Sequence, residues 1–314
     1  MKSALSLPLA MLLGILSYFV ADGILPVVVK PYVLQFVAWL QPILIGVMLF
    51  VAFCKMEFSA MRFCAWHFWA MLIQMASAVA FCFFASRFVH DSCLAIFFES
   101  LMLCLLCPTA TAAVVVASKL GAVSVGSLAV YTVLSTLMTA FLVPLIATFL
   151  HPINVGDFFE TLLFVAKRVL PLLIIPFVLS CVCRLLFPKI VSIIVKRQGL
   201  AFQVWVVALF IAMALTAQSI MKSTTPIFMQ IIVGFAALIA CVVQFVVGKC
   251  LGRRFHSPIL ASQALGQKNT VLLIWLSCAF FSPAVATVGG FYSIWHNLYN
   301  AWQLKSYAKS NAKS

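Results

Sequence analysis

The sequence contains few charged residues: 8% of its 314 residues are Asp, Glu, Lys or Arg, and only six are acidic. Because soluble domains carry about a quarter charged residues, a chain that is 65% hydrophobic is not a water-soluble fold. Its apolar runs are long and continuous, which is typical of membrane-spanning helices, whereas β-barrels have short alternating segments. The sequence therefore indicates an all-α, polytopic membrane protein.

Signatures of metal, cofactor and nucleic-acid binding are also scarce. The eleven cysteines lie mostly inside apolar runs, so we interpret them as small hydrophobic residues. The five histidines include no pair four residues apart on a predicted span, which argues against a metal site. The basic residues are scattered between apolar runs, which argues against nucleic acid as a partner. The partners predicted are the lipid bilayer and a small molecule, with no cofactor.

Charged residues and Pro- or Gly-containing breaks divide the chain into ten candidate spans. They are predicted at residues 4–21, 34–54, 64–86, 93–118, 122–150, 158–187, 199–221, 226–248, 258–281 and 284–304. We expect a five-helix unit over residues 1–150, a second over 151–306 and a cytoplasmic tail over 307–314. The charged stretch from Asp157 to Arg168 is expected to lie in the membrane interface before the sixth span.

Basic residues are unevenly distributed between alternate loops. With the amino terminus inside, fourteen Lys and Arg fall on inner segments and five on outer segments, while Lys268 falls inside a span. Cytoplasmic segments of membrane proteins carry such an excess of basic residues. The distribution predicts a bacterial inner-membrane protein with both termini in the cytoplasm.

The two halves of the chain resemble each other. Residues 7–17 (LPLAMLLGILS) and 170–180 (LPLLIIPFVLS) agree at five of eleven positions. The fourth and ninth spans each contain a polar interruption, at residues 108–111 and 266–269, separated by nearly the same offset. Because each half has an odd number of spans, the second half would enter the membrane from the opposite side, which predicts inverted repeats.

The interruption of the fourth span begins at Pro108, which removes a backbone donor and breaks or kinks the helix. Thr109, Ala110 and Thr111 follow it, and their hydroxyl and backbone groups are predicted to contact a ligand. A proline kink repaired by its own threonines is the alternative interpretation.

The interruption of the ninth span contains Gln267, Lys268 and Asn269 between apolar flanks. A charged residue at membrane depth costs about 3 kcal/mol, so Lys268 is predicted to be functional. If both spans break near the midplane, two helix amino ends and the ammonium would face one pocket. Such a pocket favours a carboxylate or a similar anion. Alternatively, the span begins later and Lys268 extends to the interface.

Three further polar residues are candidates for the site. Glu99 is the only carboxylate well inside a span. We expect Glu99 to carry a proton, to balance the charge of Lys268, or to lie near the outer mouth of the site. His296 and Asn297 in the tenth span either line the site or form a packed polar pair.

Three segments together resemble the bile acid:sodium symporter family: CPTATAAVV from Cys107, GQKNT from Gly266 and FYSIWHN from Phe291. The resemblance covers essentially the whole chain. It implies a ten-helix carrier of organic anions with a panel domain and a core of crossed helices. It also implies an elevator-like or rocking motion, with substrate bound where the fourth and ninth spans cross.

The sequence departs from this family at the sodium-binding motifs, which read roughly PGGTASN and ETGxQN in sodium-coupled members. Ala113 and Val114 occupy the Ser-Asn positions, Ala264 that of the Glu, and Lys268 that of the Gln. Sodium needs oxygen ligands and is repelled by a fixed ammonium. We therefore expect proton-coupled transport, exchange or uniport, with sodium-coupled symport and an anion channel as alternatives.

An intramembrane enzyme is the other class to consider. A prenyltransferase needs clustered Asp residues, but Asp22, Asp91 and Asp157 are isolated between spans. A rhomboid-like protease needs a Ser in a Gly-rich turn near a His, and only Ser293 with His296 offers a faint match. We therefore predict a transporter and not an enzyme.

Overall fold

The computed structural model describes residues 2–26, 28–55, 62–88, 92–151, 157–197 and 199–311, and throughout these ranges the regular elements are helices. These are α1 (Lys2–Ile24), α2 (Lys30–Lys55), α3 (Ala65–Arg87), α4 (Ser92–Leu106), α5 (Ala112–Lys119), α6 (Val125–Leu150), α7 (Phe158–Leu186), α8 (Pro188–Lys196), α9 (Leu200–Met221), α10 (Ile227–Arg254), α11 (Pro258–Gly266), α12 (Thr270–Phe280), a 3-10 turn (Val285–Thr287) and α13 (Val288–Asn311). The prediction of an all-α protein is confirmed. Asp91 and residues 312–314 of the predicted tail lie outside the described residues.

Seven of the described helices, α1, α2, α3, α6, α7, α9 and α10, are long and apolar enough to cross a membrane. The protein is therefore a multi-pass membrane protein, as predicted. The three remaining predicted spans contain shorter or more polar helices. Residues 93–118 contain α4 and α5, and residues 258–281 contain α11 and α12. Residues 284–304 contain the 3-10 turn and most of α13, which buries several polar side chains.

The helices pack in two groups. In the first group, α1 lies along α9, and α2 contacts both α7 and α9. In the second group, α10 contacts α4, α11 and α13, and α3 contacts α4 and α6. This group also includes α5, which contacts α6 and α11, and α12, which contacts α13. The groups meet where α13 contacts α1 and α9 and where α6 contacts α7. Side chains that line the space between the groups can therefore come from both.

Two glycines allow α11 to approach α10 closely. A Cβ atom on Gly248 would lie 2.4 Å from the carbonyl oxygen of Ala261, and one on Gly266 would lie 2.3 Å from the ring of Phe245. Only a residue without a side chain fits at these distances. The contact fixes the end of α11 and, with it, the chain break that follows.

The second half differs from the predicted spans in three places. The stretch 157–168 belongs to one continuous helix, α7, at whose start Asp157 accepts a hydrogen bond from the Phe159 N–H (3.1 Å). Residues 188–196 form a separate helix, α8, whose Lys189 and Lys196 lie on one face, a pattern typical of helices at a membrane surface. Finally, α13 continues through the first residues of the predicted tail.

Candidate functional site

The two predicted interruptions are helix breaks that contact each other. α4 and α5 are separated by residues 107–111, and α11 and α12 by residues 267–269. The Ala110 N–H donates to the Gln267 carbonyl (2.8 Å), and the Asn269 N–H donates to the Pro108 carbonyl (2.9 Å). The two breaks therefore form a short antiparallel bridge, in which each provides hydrogen-bond partners for backbone groups of the other.

Side chains from neighbouring helices bind the free carbonyl groups at the end of α4. Gln74 of α3 donates to the carbonyls of Leu106 and Cys107, both at 3.1 Å, and the Thr139 hydroxyl of α6 donates to that of Leu106 (2.7 Å). The Tyr131 hydroxyl donates to Gln74 Oε1 (2.9 Å) and orients the amide. These bonds replace the partners that a helix end lacks, which stabilises the break within the membrane.

The end of α11 is held by a similar chain of hydrogen bonds. The Tyr292 hydroxyl of α13 donates to the Gly266 carbonyl (2.7 Å). Gln244 of α10 donates to the Tyr292 hydroxyl (3.0 Å) and lies 3.3 Å from the Cys104 carbonyl of α4. One glutamine thus links the ends of both broken helices.

Lys268 is completely buried, and its Nζ donates to the Leu105 carbonyl near the end of α4 (3.2 Å). No carboxylate pairs with it among the described residues. The carboxyl end of a helix carries partial negative charge, which stabilises a nearby cation. We expected this ammonium to face the pocket; in the structure it is directed towards the end of α4 instead.

A cavity of about 60 Å³ lies between the two helix groups beside the crossed breaks. The first group contributes Gln41 and Met48 of α2 and Trp205 and Leu209 of α9. The opposite wall comes from the breaks and from α13. Of the predicted site residues, seven line the cavity: Ala110, Thr111, Gln267, Lys268, Asn269, His296 and Asn297.

The amino ends of α5 and α12 both reach this cavity. Thr111 and Ala112 line it at the start of α5, as do Thr270 and Val271 at the start of α12. The N–H groups of Thr270 and Val271 have no hydrogen-bond partner among the described residues, since the Asn269 side chain caps the next residue, Leu272 (3.2 Å). Free N–H groups and the positive end of the helix dipole favour an anion.

Four buried polar atoms at the cavity have no hydrogen-bond partner among the described residues. They are Oε1 of Gln41, Oε1 of Gln267, Nδ1 of His296 and Oδ1 of Asn297. Each of these residues is at most 4% exposed. Buried polar atoms are almost always paired in native proteins, so these four atoms are exceptions within the polar interior beside the cavity.

Two predicted residues lie outside the cavity lining. Thr109 is buried, and its hydroxyl donates to the Ala264 carbonyl (2.6 Å), which ties α11 to the first break. Glu99 does not pair with Lys268: its Oε1 lies 3.2 Å from Nε2 of His151, although the ring N–H is not aligned with the oxygen. Thr109 thus has a structural contact, and Glu99 contacts a histidine at the end of α6.

The Glu99–His151 pair predicts a pH-dependent stability. Contact with the Glu99 carboxylate raises the pKa of His151, and partial burial opposes the shift. Because the pKa of His151 is higher in the folded than in the unfolded state, the histidine stabilises the protein at pH values below its ordinary pKa of about 6.5. The contribution is lost as pH rises through the raised value. We therefore expect Glu99→Gln to lower stability by about 1 kcal/mol at pH 6 and by much less at pH 9.

Thermal unfolding in detergent at both pH values measures this effect, with the same substitution in a His151→Gln background as the control. There the cost of Glu99→Gln should not depend on pH. An equal cost at both pH values in the wild-type background would contradict the assignment.

Two features of the site were not predicted from the sequence. Gln41 lines the cavity from α2, but Gln35 is an amide in the same apolar run, so the sequence did not single Gln41 out. Cys104 and Cys107 form a Cys-x-x-Cys pair, so an interpretation of the cysteines that counts no such pair is wrong on this point. Both are buried free thiols, and Cys107 Sγ lies 3.2 Å from the Asn269 carbonyl, which it helps to satisfy.

No known protein-family model matches this chain, and no curated protein matches it. The resemblance to the bile acid:sodium symporter family therefore stays a prediction carried by its three segments. Inferences about function rest on the geometry of the crossed breaks and of the cavity beside them.

Proposed function

We propose that this protein is a secondary transporter that carries an organic anion across a bacterial inner membrane, with both termini in the cytoplasm. The observation that carries the proposal is the convergence of two helix amino ends on one interior cavity. Interrupted helices that meet at a polar site are characteristic of secondary transporters, where free N–H groups bind anionic substrates.

Two inverted repeats of five spans are part of the proposal. If α1, α2, α3 and α6 correspond to α7, α9, α10 and α13, the contact of α1 with α9 has a counterpart in that of α7 with α2. In the same way, the contact of α3 with α4 matches that of α10 with α11, and the contact of α1 with α13 matches that of α7 with α6. This agreement of contacts supports a repeat that pairs α4–α5 with α11–α12.

The position of the cavity suggests how transport proceeds. It is lined by α2 and α9 of the first helix group on one side, and by the crossed breaks and α13 of the second group on the other. Movement of the second group relative to the first would expose the cavity alternately to the two sides of the membrane. The bridge between the breaks would move with the second group as one body.

Sodium coupling is not part of the proposal. The Lys268 ammonium donates to the Leu105 carbonyl near the end of α4, inside the protein. It supplies there the positive charge that a bound cation would otherwise supply. A fixed positive charge at this point would repel a sodium ion and would compensate the charge of a bound anion. Proton coupling, exchange and uniport are all compatible with this arrangement.

Reconstitution into proteoliposomes tests the transporter proposal. Uptake of radiolabelled lactate, propionate and taurocholate should include at least one anion that enters faster than in protein-free liposomes, saturates with concentration, and is accelerated by the same anion inside. Flux that neither saturates nor responds to internal anion would support the channel alternative. Absence of protein-dependent flux for all three anions would contradict the proposal.

Replacing external sodium by N-methyl-D-glucamine is expected to change the initial uptake rate by less than about twofold, because Lys268 supplies a positive charge that does not leave the protein. The ionic strength and the membrane potential are kept the same in the sodium and the N-methyl-D-glucamine experiments. A loss of most of the uptake without sodium would overturn this reading of Lys268.

A further inference from the structure

We infer that the lysine face of α8, formed by Lys189, Ser192 and Lys196, binds the headgroup of an anionic phospholipid. The inference goes beyond the proposed function and is independent of it, because this face is not part of the cavity lining. Three observations carry it: the order of the side chains around α8, the charge of the segment that contains it, and its attachment to the first helix group.

α8 packs on the helix bundle through one side. Val191 is buried, and the partly buried Ile194 packs against an apolar cluster that includes residues of α1, α2 and α9. Ile190 and Ile193 lie away from this contact and are 49% and 57% exposed. A helix of nine residues is about 14 Å long, which is too short to cross a bilayer. These properties are typical of a helix that lies in the membrane interface with its exposed isoleucines against lipid chains.

The lysine face lies next to these isoleucines. Lys189, Ser192 and Lys196 are three, four and seven residues apart and all exposed, so they share one side of the helix. Ile193 is four residues after Lys189 and three before Lys196, and residues at these spacings are neighbours on a helix surface. The two ammonium groups and the hydroxyl can donate to the oxygens of a phosphate. A phospholipid matches this arrangement, because its charged phosphate and its apolar chains are covalently joined.

The segment that contains α8 is strongly basic. Four basic side chains lie within fourteen residues: Arg184, Lys189, Lys196 and Arg197. No Asp or Glu follows Glu160, which lies in the first turn of α7, at the opposite end of that helix from α8. Glu57, which follows α2 in the sequence, lies outside the described residues. Basic clusters beside a transmembrane helix attract anionic lipids, so the charge of this segment favours an anionic headgroup over a zwitterionic one.

Hydrogen bonds on both sides of α8 attach it to α2. Before α8, Arg184 of α7 donates to the carbonyls of Phe53 (2.9 Å) and Cys54 (3.0 Å) at the end of α2. After α8, the Lys55 Nζ donates to the Arg197 carbonyl (2.6 Å). A lipid bound to α8 is therefore joined to α2 and α7, which belong to the first helix group. The bound lipid would anchor this group, and not the second group, in the bilayer.

Native mass spectrometry of the purified protein in an uncharged detergent tests the inference. Dioctanoyl phosphatidylglycerol is the probe, and its apparent Kd is measured from the fraction of protein that carries one lipid. Dioctanoyl phosphatidylcholine has the same chains without a net charge, and we expect it to bind at least about tenfold more weakly. Inorganic phosphate, which lacks the chains, should not displace the bound phosphatidylglycerol at equal concentration.

A pair of double variants assigns the binding to α8. Lys189→Gln with Lys196→Gln should raise the apparent Kd for phosphatidylglycerol by about tenfold or more, because each lysine contributes to the attraction. Lys305→Gln with Lys309→Gln is the matched control: it removes two exposed lysines from α13, so the net charge changes by the same amount. The control should keep the Kd within about twofold of wild type.

Each contrary result overturns the inference. Equal affinity for the two lipids would show that the headgroup charge is not recognised, and displacement by inorganic phosphate would indicate a site for a free anion. An equal loss of affinity in both double variants would show that binding depends on net charge and not on the lysine face. None of these measurements uses transport, so a failure here leaves the transporter proposal untouched.

Discussion

Replacing Lys268 by Gln is expected to lower the rate of anion uptake by at least about tenfold. Among the described residues, Lys268 is the only positive side chain that lines the cavity, and the substitution also removes the donor that binds the Leu105 carbonyl. When Lys268 is protonated, its ammonium and a bound carboxylate would together carry no net charge. Without the ammonium, the loaded transporter would move an uncompensated negative charge through the membrane, which is costly in a medium of low dielectric constant.

Lys222→Gln is the matched control, because Lys222 is exposed at the end of α9 and lies outside the cavity. Its uptake rate should stay within about twofold of wild type. Thermal unfolding of the Lys268→Gln variant in detergent separates loss of transport from loss of folding. A folded Lys268→Gln protein that transports at the wild-type rate would contradict the role given to the ammonium.

Replacing Gln74 by Leu is expected to destabilise the protein by about 2–4 kcal/mol. Gln74 donates to two carbonyls at the end of α4 and accepts a hydrogen bond from Tyr131. The Leu106 carbonyl keeps its bond from Thr139, but the Cys107 carbonyl and the Tyr131 hydroxyl would lose their partner. Both groups are buried, and the membrane interior supplies no water to replace the lost bonds.

Thermal unfolding in detergent measures this loss, and a decrease in Tm of about 5–10 °C corresponds to it. Gln35→Leu is a suitable control, since Gln35 is exposed on the apolar surface of α2 and is not part of this network. Tyr131→Phe should cost less than Gln74→Leu, because it removes only one of the three bonds. A Gln74→Leu protein as stable as the control would show that the break at residues 107–111 needs no help from α3.

The sequence alone predicted the positions of both breaks. Pro108 cannot continue the hydrogen-bond ladder of a helix, and the run 266–269 combines glycine with three polar residues inside an apolar span. These are local properties of the chain. For the same reason, the all-α class and the apolar helices followed from composition and run length.

The direction of the Lys268 side chain and the contribution of Gln41 could not be predicted in this way. Lys268 bonds a carbonyl that lies 163 residues earlier in the sequence, and Gln41 reaches the cavity because α2 packs beside the crossed breaks. Both facts depend on how distant helices pack, which a one-dimensional pattern does not contain. The short helix α8 was missed because its nine residues lie between the predicted spans 158–187 and 199–221 and are too few to cross a membrane.

The bridge between the two breaks has a consequence for the synthesis of the protein. The Pro108 carbonyl and the Ala110 N–H find their partners in Asn269 and Gln267, which the ribosome adds more than 150 residues later. Until then, the first break would lie in the bilayer with polar backbone groups unsatisfied. The newly made first half therefore depends on water, lipid headgroups or the insertion machinery to cover residues 107–111 until the second half arrives.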